Sequence, residues 1–323
     1  PIAVIPEIGA AYMTSTWLDD IRSWASPAPE DDGVSLLAQT LQEVAGKTGR
    51  VGLPKGPETH LRMPLAAFEA LRRARPGGDF VDATPLIRAL RLVKSEAEIG
   101  KIAHICDLAS GAFETLPDLV CCGHSQREAF RAFKVELLRR GADAVPYLVG
   151  GAGPGGYDDI ISPPSDRALQ AGDLLMLDTG AVFDGYYCDF DRNFAVGTVP
   201  DTVWRAYSLL LEATAAGLQA ARPGQTAAGL FHCMARVLES GGAGGHTTGR
   251  LGHGLGMQLT EWPSLAPFDR TKLKSGMVLT LEPALTIGPG RMMVHEENIV
   301  IRNQGAQLLT RPAPAELPVI PGA

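Results

Sequence analysis

Residues 172–192 read GDLLMLDTGAVFDGYYCDFDR and constrain the fold more than any other stretch of the chain. Two apolar runs flank Asp184-Gly185, and a DG dipeptide in that setting predicts a tight hairpin between two strands. With the turn there, Asp178 lies opposite Asp191, and Asp189 sits diagonally from Asp178 on the same face. Diagonal cross-strand neighbours are roughly 7–8 Å apart at the backbone, so two inward carboxylates can share an ion. Asp178 follows the apolar run Leu174 to Leu177. A carboxylate buried in such a strand is costly unless it is paired or bound to metal. Solvated turn acids are the alternative, and the apolar setting suits them poorly.

A second pair of acids comes near the C-terminus. Residues 277–281 form an apolar strand that runs into Glu282-Pro283, and residues 292–301 form another that contains Glu296 and Glu297. The turn between them is Gly288-Pro289-Gly290. Glu282 and Glu296 are equidistant from Pro289 and therefore face each other. Like charges directly opposite are unfavourable unless a cation lies between them. Glu297 points to the other face, because adjacent strand residues alternate. His253 stands between glycines in GHGLG, which leaves its imidazole free to ligate. Four carboxylates and one imidazole match a site for two divalent ions, manganese, cobalt, iron or zinc, better than a thiolate site would.

The 323 residues suggest two domains. Residues 1–92 read as a small α/β unit, with helices over 35–44 and 65–73 and strands over 50–53 and 80–82. The boundary precedes Ser95-Glu96-Ala97-Glu98, a capping box that starts a helix; another helix covers 125–140 and stops at Gly141. The glycine-rich segment 150–159 lacks the phosphate-binding pattern GxxxxGK[ST] and reads as a flexible substrate loop. Helices follow over 201–221 and 226–238. A net charge of −7 without a basic run argues against nucleic acid as a partner. No apolar run approaches the roughly 18 residues of a membrane span. The five cysteines have no scaffold or zinc spacing and read as reduced thiols of a cytoplasmic protein. The first residue is Pro1, so the N-terminus is expected to be processed or to lie inside a longer protein.

Five segments, PSDR at 164–167, LLMLDTGAVFDGYYCDFDR, GHGLGMQLTEWP, LTLEP and HEENIVI, occur in an order and spacing that resemble one family. The chain is similar, from about Val93 to its end, to the creatinase, proline dipeptidase, aminopeptidase P and methionine aminopeptidase superfamily. That resemblance implies an α+β architecture: a pita-bread catalytic domain, a curved antiparallel sheet with helices, over 93–323. Residues 1–92 look like a shortened creatinase-type N-terminal domain. It also implies that Asp178, Asp189, His253, Glu282 and Glu296 bind two metal ions. Asp189 and Glu296 would bridge, Asp178 would complete one ion, and His253 with Glu282 the other. Two ions roughly 3.5–4 Å apart would hold a hydroxide that attacks the amide. Glu282 would act as general base and then acid, and Arg192, grouped with the substrate-binding residues, would orient a metal-bound carboxylate from behind the ligands. By analogy the protein is a homodimer.

The departures from the family pattern bear on substrate. Ile161 and Thr260 stand where peptidases of this family usually carry substrate-side histidines, and Asp191 replaces the usual threonine. His246 lies near the ligand loop and either substitutes catalytically or is a polar loop residue. The expected activity is hydrolysis of an amide, either in an Xaa-Pro peptide or in a small non-peptide metabolite of the creatinase or ectoine-hydrolase kind. A metal-dependent lyase and a non-catalytic interaction protein are the rivals, and the intact ligand set argues against the latter.

Overall fold

The computed structural model describes residues 1–242 and 249–322. The chain divides into two compact units, Pro1–Ile87 and Arg88–Ala323. In the first, strand Ile2–Pro6 pairs in parallel with Asp20–Trp24, and Arg50–Leu53 with Asp79–Asp82. Helices Val34–Ala45 and Leu65–Ala74 bury Ala38 and Leu71 against Phe80. The pair at the N-terminus escapes a reading of the sequence. A run such as Ile2-Ala3-Val4-Ile5-Pro6 offers neither alternation nor a turn dipeptide.

The second unit is built on two five-stranded sheets. One contains Ala144–Pro154, Asp173–Phe183, Tyr186–Tyr187, Phe190–Val196 and Val319–Ile320. The other contains His253–Gly254, Glu261–Ser264, Val278–Leu281, Glu297–Arg302 and Gly305–Leu308. Helices Glu96–Leu119 and Gln126–Arg140 start at Ser95 and Ser125, each a complete capping box. They cover one face of the first sheet, burying Leu175, Leu177, Phe190 and Phe194. Leu174 and Met176 point the other way, into a core shared with helices Asp201–Ala220 and Ala227–Ser240. Burial on both faces explains why this strand is apolar almost throughout. Among the described residues no helix is long and apolar enough to cross a membrane.

Two expectations are corrected. The glycine-rich segment is not a loop at its start: residues 150–154 belong to the Ala144–Pro154 strand, in register with Asp173–Phe183. Gly150 has φ +147°, and a Cβ there would lie 2.1 Å from the carbonyl oxygen of Met176. The glycines bring two backbones close rather than making the chain flexible. The apolar run 292–301 is likewise not one strand. It breaks at His295-Glu296 into Arg291–Val294, which pairs with Ala284–Gly288, and Glu297–Arg302, which joins the larger sheet.

A buried ion pair joins the sheets at this break. Arg192, 6% exposed, donates from Nη2 to both carboxylate oxygens of Glu297 at 2.9 and 3.1 Å. Its Nη1 donates to the carbonyl of Glu296 at 2.9 Å. Burial pushes the Glu297 carboxyl up, but Arg192, His295 and Thr310 outweigh that and hold it at about 2. Removing one partner of a buried pair strands the other charge, at roughly 3–5 kcal/mol. Arg192→Met is therefore expected to destabilise the metal-free protein by about that amount, read as a lower midpoint in urea denaturation.

Candidate metal centre

The hairpin at Asp184-Gly185 forms as its sequence requires, with φ of +47° and +80° at the two turn residues. Its register sets Asp178 directly opposite Asp191. Cys188 and Asp189 lie between the two strand segments of the returning arm. Asp189 is therefore free of the ladder, and its backbone is clamped by Asn298 instead. The Asp189 N–H donates to Asn298 Oδ1 at 2.9 Å, and Asn298 Nδ2 donates to the Asp189 carbonyl.

The second acid pair follows from the other hairpin. Leu281 pairs with Glu297 and Ala284 with Val294, so Glu282 and Glu296 fall opposite each other between those contacts. Tyr157 pins this hairpin to the first: its hydroxyl accepts from the N–H of Val294 at 2.7 Å and donates to Asn193 at 3.0 Å.

His253 is held from both sides of its chain. Its N–H donates to Thr280 Oγ1 at 3.1 Å, and Nδ1 lies 2.8 Å from the carbonyl of Gly254. That contact makes Nδ1 the protonated nitrogen and leaves the Nε2 lone pair for a ligand. Gly252, φ +142°, makes the approach possible, since a Cβ there would be 2.3 Å from the Thr280 carbonyl. His253 Nε2 is 3.3 Å from Asp189 Oδ2 and 3.8 Å from Glu282 Oε2.

One cavity of about 250 Å³ is lined by Asp178, Asp189, His253, Glu282 and Glu296, with Asp191 beside them. Asp189, His253 and Glu296 each offer a ligand atom within 4.8 Å of the other two. Buried oxygens of Asp178, Asp191 and Glu296 have no hydrogen-bond partner. Orphaned carboxylate oxygens converging on one space are what a divalent cation satisfies, so the donor set fits such an ion.

The electrostatics agree. Burial raises the Asp178 carboxyl well above its ordinary range, and Asp189, Asp191 and Glu282 add to the rise. Burial does the same to Glu296 and Asp191, and lifts Asp189 although His253 draws it back. For His253 burial works downward, but Glu282 and then Asp189 outweigh it and the imidazole is raised.

The residues expected on the substrate side are distributed differently. Ile161, 67% exposed, and Thr260 both line the cavity. Thr260 precedes Glu261, which is locked in a buried pair with Lys94 at 2.9 Å. Arg192 does not line the cavity, which corrects its assignment to the substrate side. Standing one residue from Asp191 in a strand, it takes the opposite face and holds Glu297. His246 falls outside the described residues.

Several residues in and around the cavity escape a reading by motif: Tyr147, which hydrogen-bonds Asp178, Arg250, whose Nε is 3.4 Å from Glu282, Asn298 and Tyr157. Only the presence of polar residues inside apolar strands, at Asn298 and Asn193, could have flagged two of the supporting groups.

Residues 100–303 match the description of metallopeptidase family M24. The chain is 30% identical over 259 residues to the Xaa-Pro dipeptidase of Pyrococcus horikoshii, covering 77% of this chain and 71% of that one. Its fold superposes on the dipeptidase PepE of Mycobacterium ulcerans with a TM-score of 0.83 at 29% identity, covering 98% of this chain and 83% of that one. For the X-Pro aminopeptidase of Thermotoga maritima the TM-score is 0.85 at 23% identity, with 98% and 86% covered. With its acid-and-histidine cavity inside the matched segment, the chain belongs to metallopeptidase family M24.

Proposed function

We propose that this protein hydrolyses an amide bond in a short substrate, in the manner of an Xaa-Pro dipeptidase, using two divalent ions held in the acidic cavity. The observation that carries this is the convergence of Asp178, Asp189, His253, Glu282 and Glu296 on one space in a metallopeptidase chain. In this reading Asp178, Asp189, His253, Glu282 and Glu296 would hold the ions. Bound there, the ions would supply Lewis acidity toward the amide carbonyl and would make water nucleophilic near neutral pH.

Glu282 suits the proton relay. Its side chain is 20% exposed at the cavity, whereas Asp189 and Glu296 are buried. It takes the proton of the attacking water and returns it to the leaving nitrogen. Arg250 is the one arginine or lysine among the described lining residues, and a guanidinium there can meet the terminal carboxylate of a short peptide. The cavity volume fits a dipeptide-sized ligand rather than a long chain. Ile161 and Thr260 on the cavity wall favour a second reading, hydrolysis of a small amide metabolite. The free cysteines fit a reducing, cytoplasmic setting.

Three outcomes test the centre and its chemistry. Asp189→Ala is expected to lose at least one metal ion per chain, and an unchanged metal-to-protein ratio by elemental analysis would remove Asp189 from the ligand set. The second concerns pH. The acids whose carboxyls are raised in the metal-free protein hold protons that the unfolded chain releases, so stability falls as pH rises through those raised values. Metal-free protein should therefore melt lower as the pH is raised above the ordinary carboxylate range, and added Mn(II) should reduce the difference. A flat profile without metal would contradict it.

The third concerns substrate. Loss of a donor to the developing oxyanion lowers turnover about 10²–10³-fold. Gly-Pro and Ala-Pro are therefore expected to turn over slowly with Ile161 and Thr260 intact, and Thr260→His is expected to raise the rate. Turnover of the wild type at ordinary peptidase rates would show that another group does this work. Mass analysis of products from small amides separates hydrolysis from elimination.

A further inference from the structure

Asp191 is a carboxylate in this cavity that the proposed hydrolysis leaves without a task. It is 1% exposed, directly opposite Asp178 in the strand pair, and lines the same space. Directly opposed side chains have Cβ atoms roughly 4.5–5.5 Å apart, and like charges so placed destabilise the pair. Asp191 Oδ1 receives a bond from Asn193 Nδ2 at 3.3 Å, but Oδ2 is buried with no partner.

Burial raises the Asp191 carboxyl and the charge of the neighbouring Arg192 draws it back, but the guanidinium makes no hydrogen bond to that carboxylate. Arg192 Nη1 donates to the main-chain carbonyl of Asp191 at 2.7 Å, while Nη2 is committed to Glu297. Asp178 Oδ1 is orphaned in the same way. Two facing acids, each with one unpartnered buried oxygen, are arranged for a cation between them.

Resting on the metal reading above, we propose that Asp191 is a further metal ligand. Its Oδ2 joins Asp178 on one ion and gives that position an additional carboxylate oxygen. An oxygen-rich, highly anionic shell of this kind prefers a hard six-coordinate ion such as Mn(II) over Zn(II), which settles for four ligands and favours nitrogen and sulfur.

The test titrates metal-free wild type, Asp191→Asn and Asp191→Thr with Mn(II), followed by electron paramagnetic resonance, and with Zn(II) by calorimetry. Asp189→Ala serves as the control. Mn(II) affinity at one site is expected to fall about 10–100-fold in both Asp191 variants, a range that even outer partners of metal ligands reach. Zn(II) affinity should change less. The metal-free variants should melt at or above the wild type, because a like-charge contact has gone, while their Mn(II)-loaded forms melt below it. Unchanged Mn(II) affinity and spectrum in Asp191→Asn, with loss in Asp189→Ala, would overturn the proposal and leave Asp191 sharing a proton with Asp178. An equal fall in melting temperature with and without metal would overturn it as well, by making Asp191 structural. Wild type that binds no Mn(II) or Zn(II) would instead bring down the metal centre itself.

Discussion

The centre depends on the buried contact of Arg192 with Glu297. The two residues come from different sheets, and the same guanidinium holds the carbonyl of Glu296. It therefore fixes the backbone from which Glu296 enters the cavity, while the charge of Arg192 is matched by an acid that takes no part there. Without such a pair, the apolar packing of the two sheets would leave several angles for Glu296 open. Hydrophobic contact is non-directional, and a bidentate ion pair is not.

A second device does the same for Asp189. A residue in a regular ladder has its N–H and carbonyl committed to the neighbouring strand. Asp189 lies in a gap of the ladder, and Asn298 supplies both bonds from the other sheet. Asn298 is fully buried and also accepts from Cys106. Two contacts from one side chain thus convert a break in a strand into a defined position for a side chain that lines the cavity. His253 is treated alike by Thr280 and Gly254. In each case the side chain is held through its backbone or its far atom, which turns the near atom toward the cavity.

That arrangement has an energetic consequence. Burial raises the carboxyls of Asp178, Asp189, Asp191 and Glu296, and neighbouring acids add to each rise, so bringing these groups together costs free energy. Folding brings them together only because large apolar clusters on both sides of the sheet outweigh the repulsion. The same repulsion becomes binding energy when a divalent ion enters.

The sequence by itself determined which acids share a face. Strand side chains alternate with a period of two, so the turns at Asp184-Gly185 and around Pro289 were enough to pair Asp178 with Asp191 and Glu282 with Glu296. Local chemistry also marked the helix starts at Ser95 and Ser125 and the stop at Gly141. What only the tertiary structure decided was how the two hairpins meet. The Asn298 clamp on Asp189 spans 109 residues, and the Arg192 bond to Glu297 spans 105. The same holds for the break at His295-Glu296, for the strand made by the glycines from Gly150, and for Arg250 beside Glu282. Such features depend on packing between segments far apart in the chain, and no local period or turn signal encodes them.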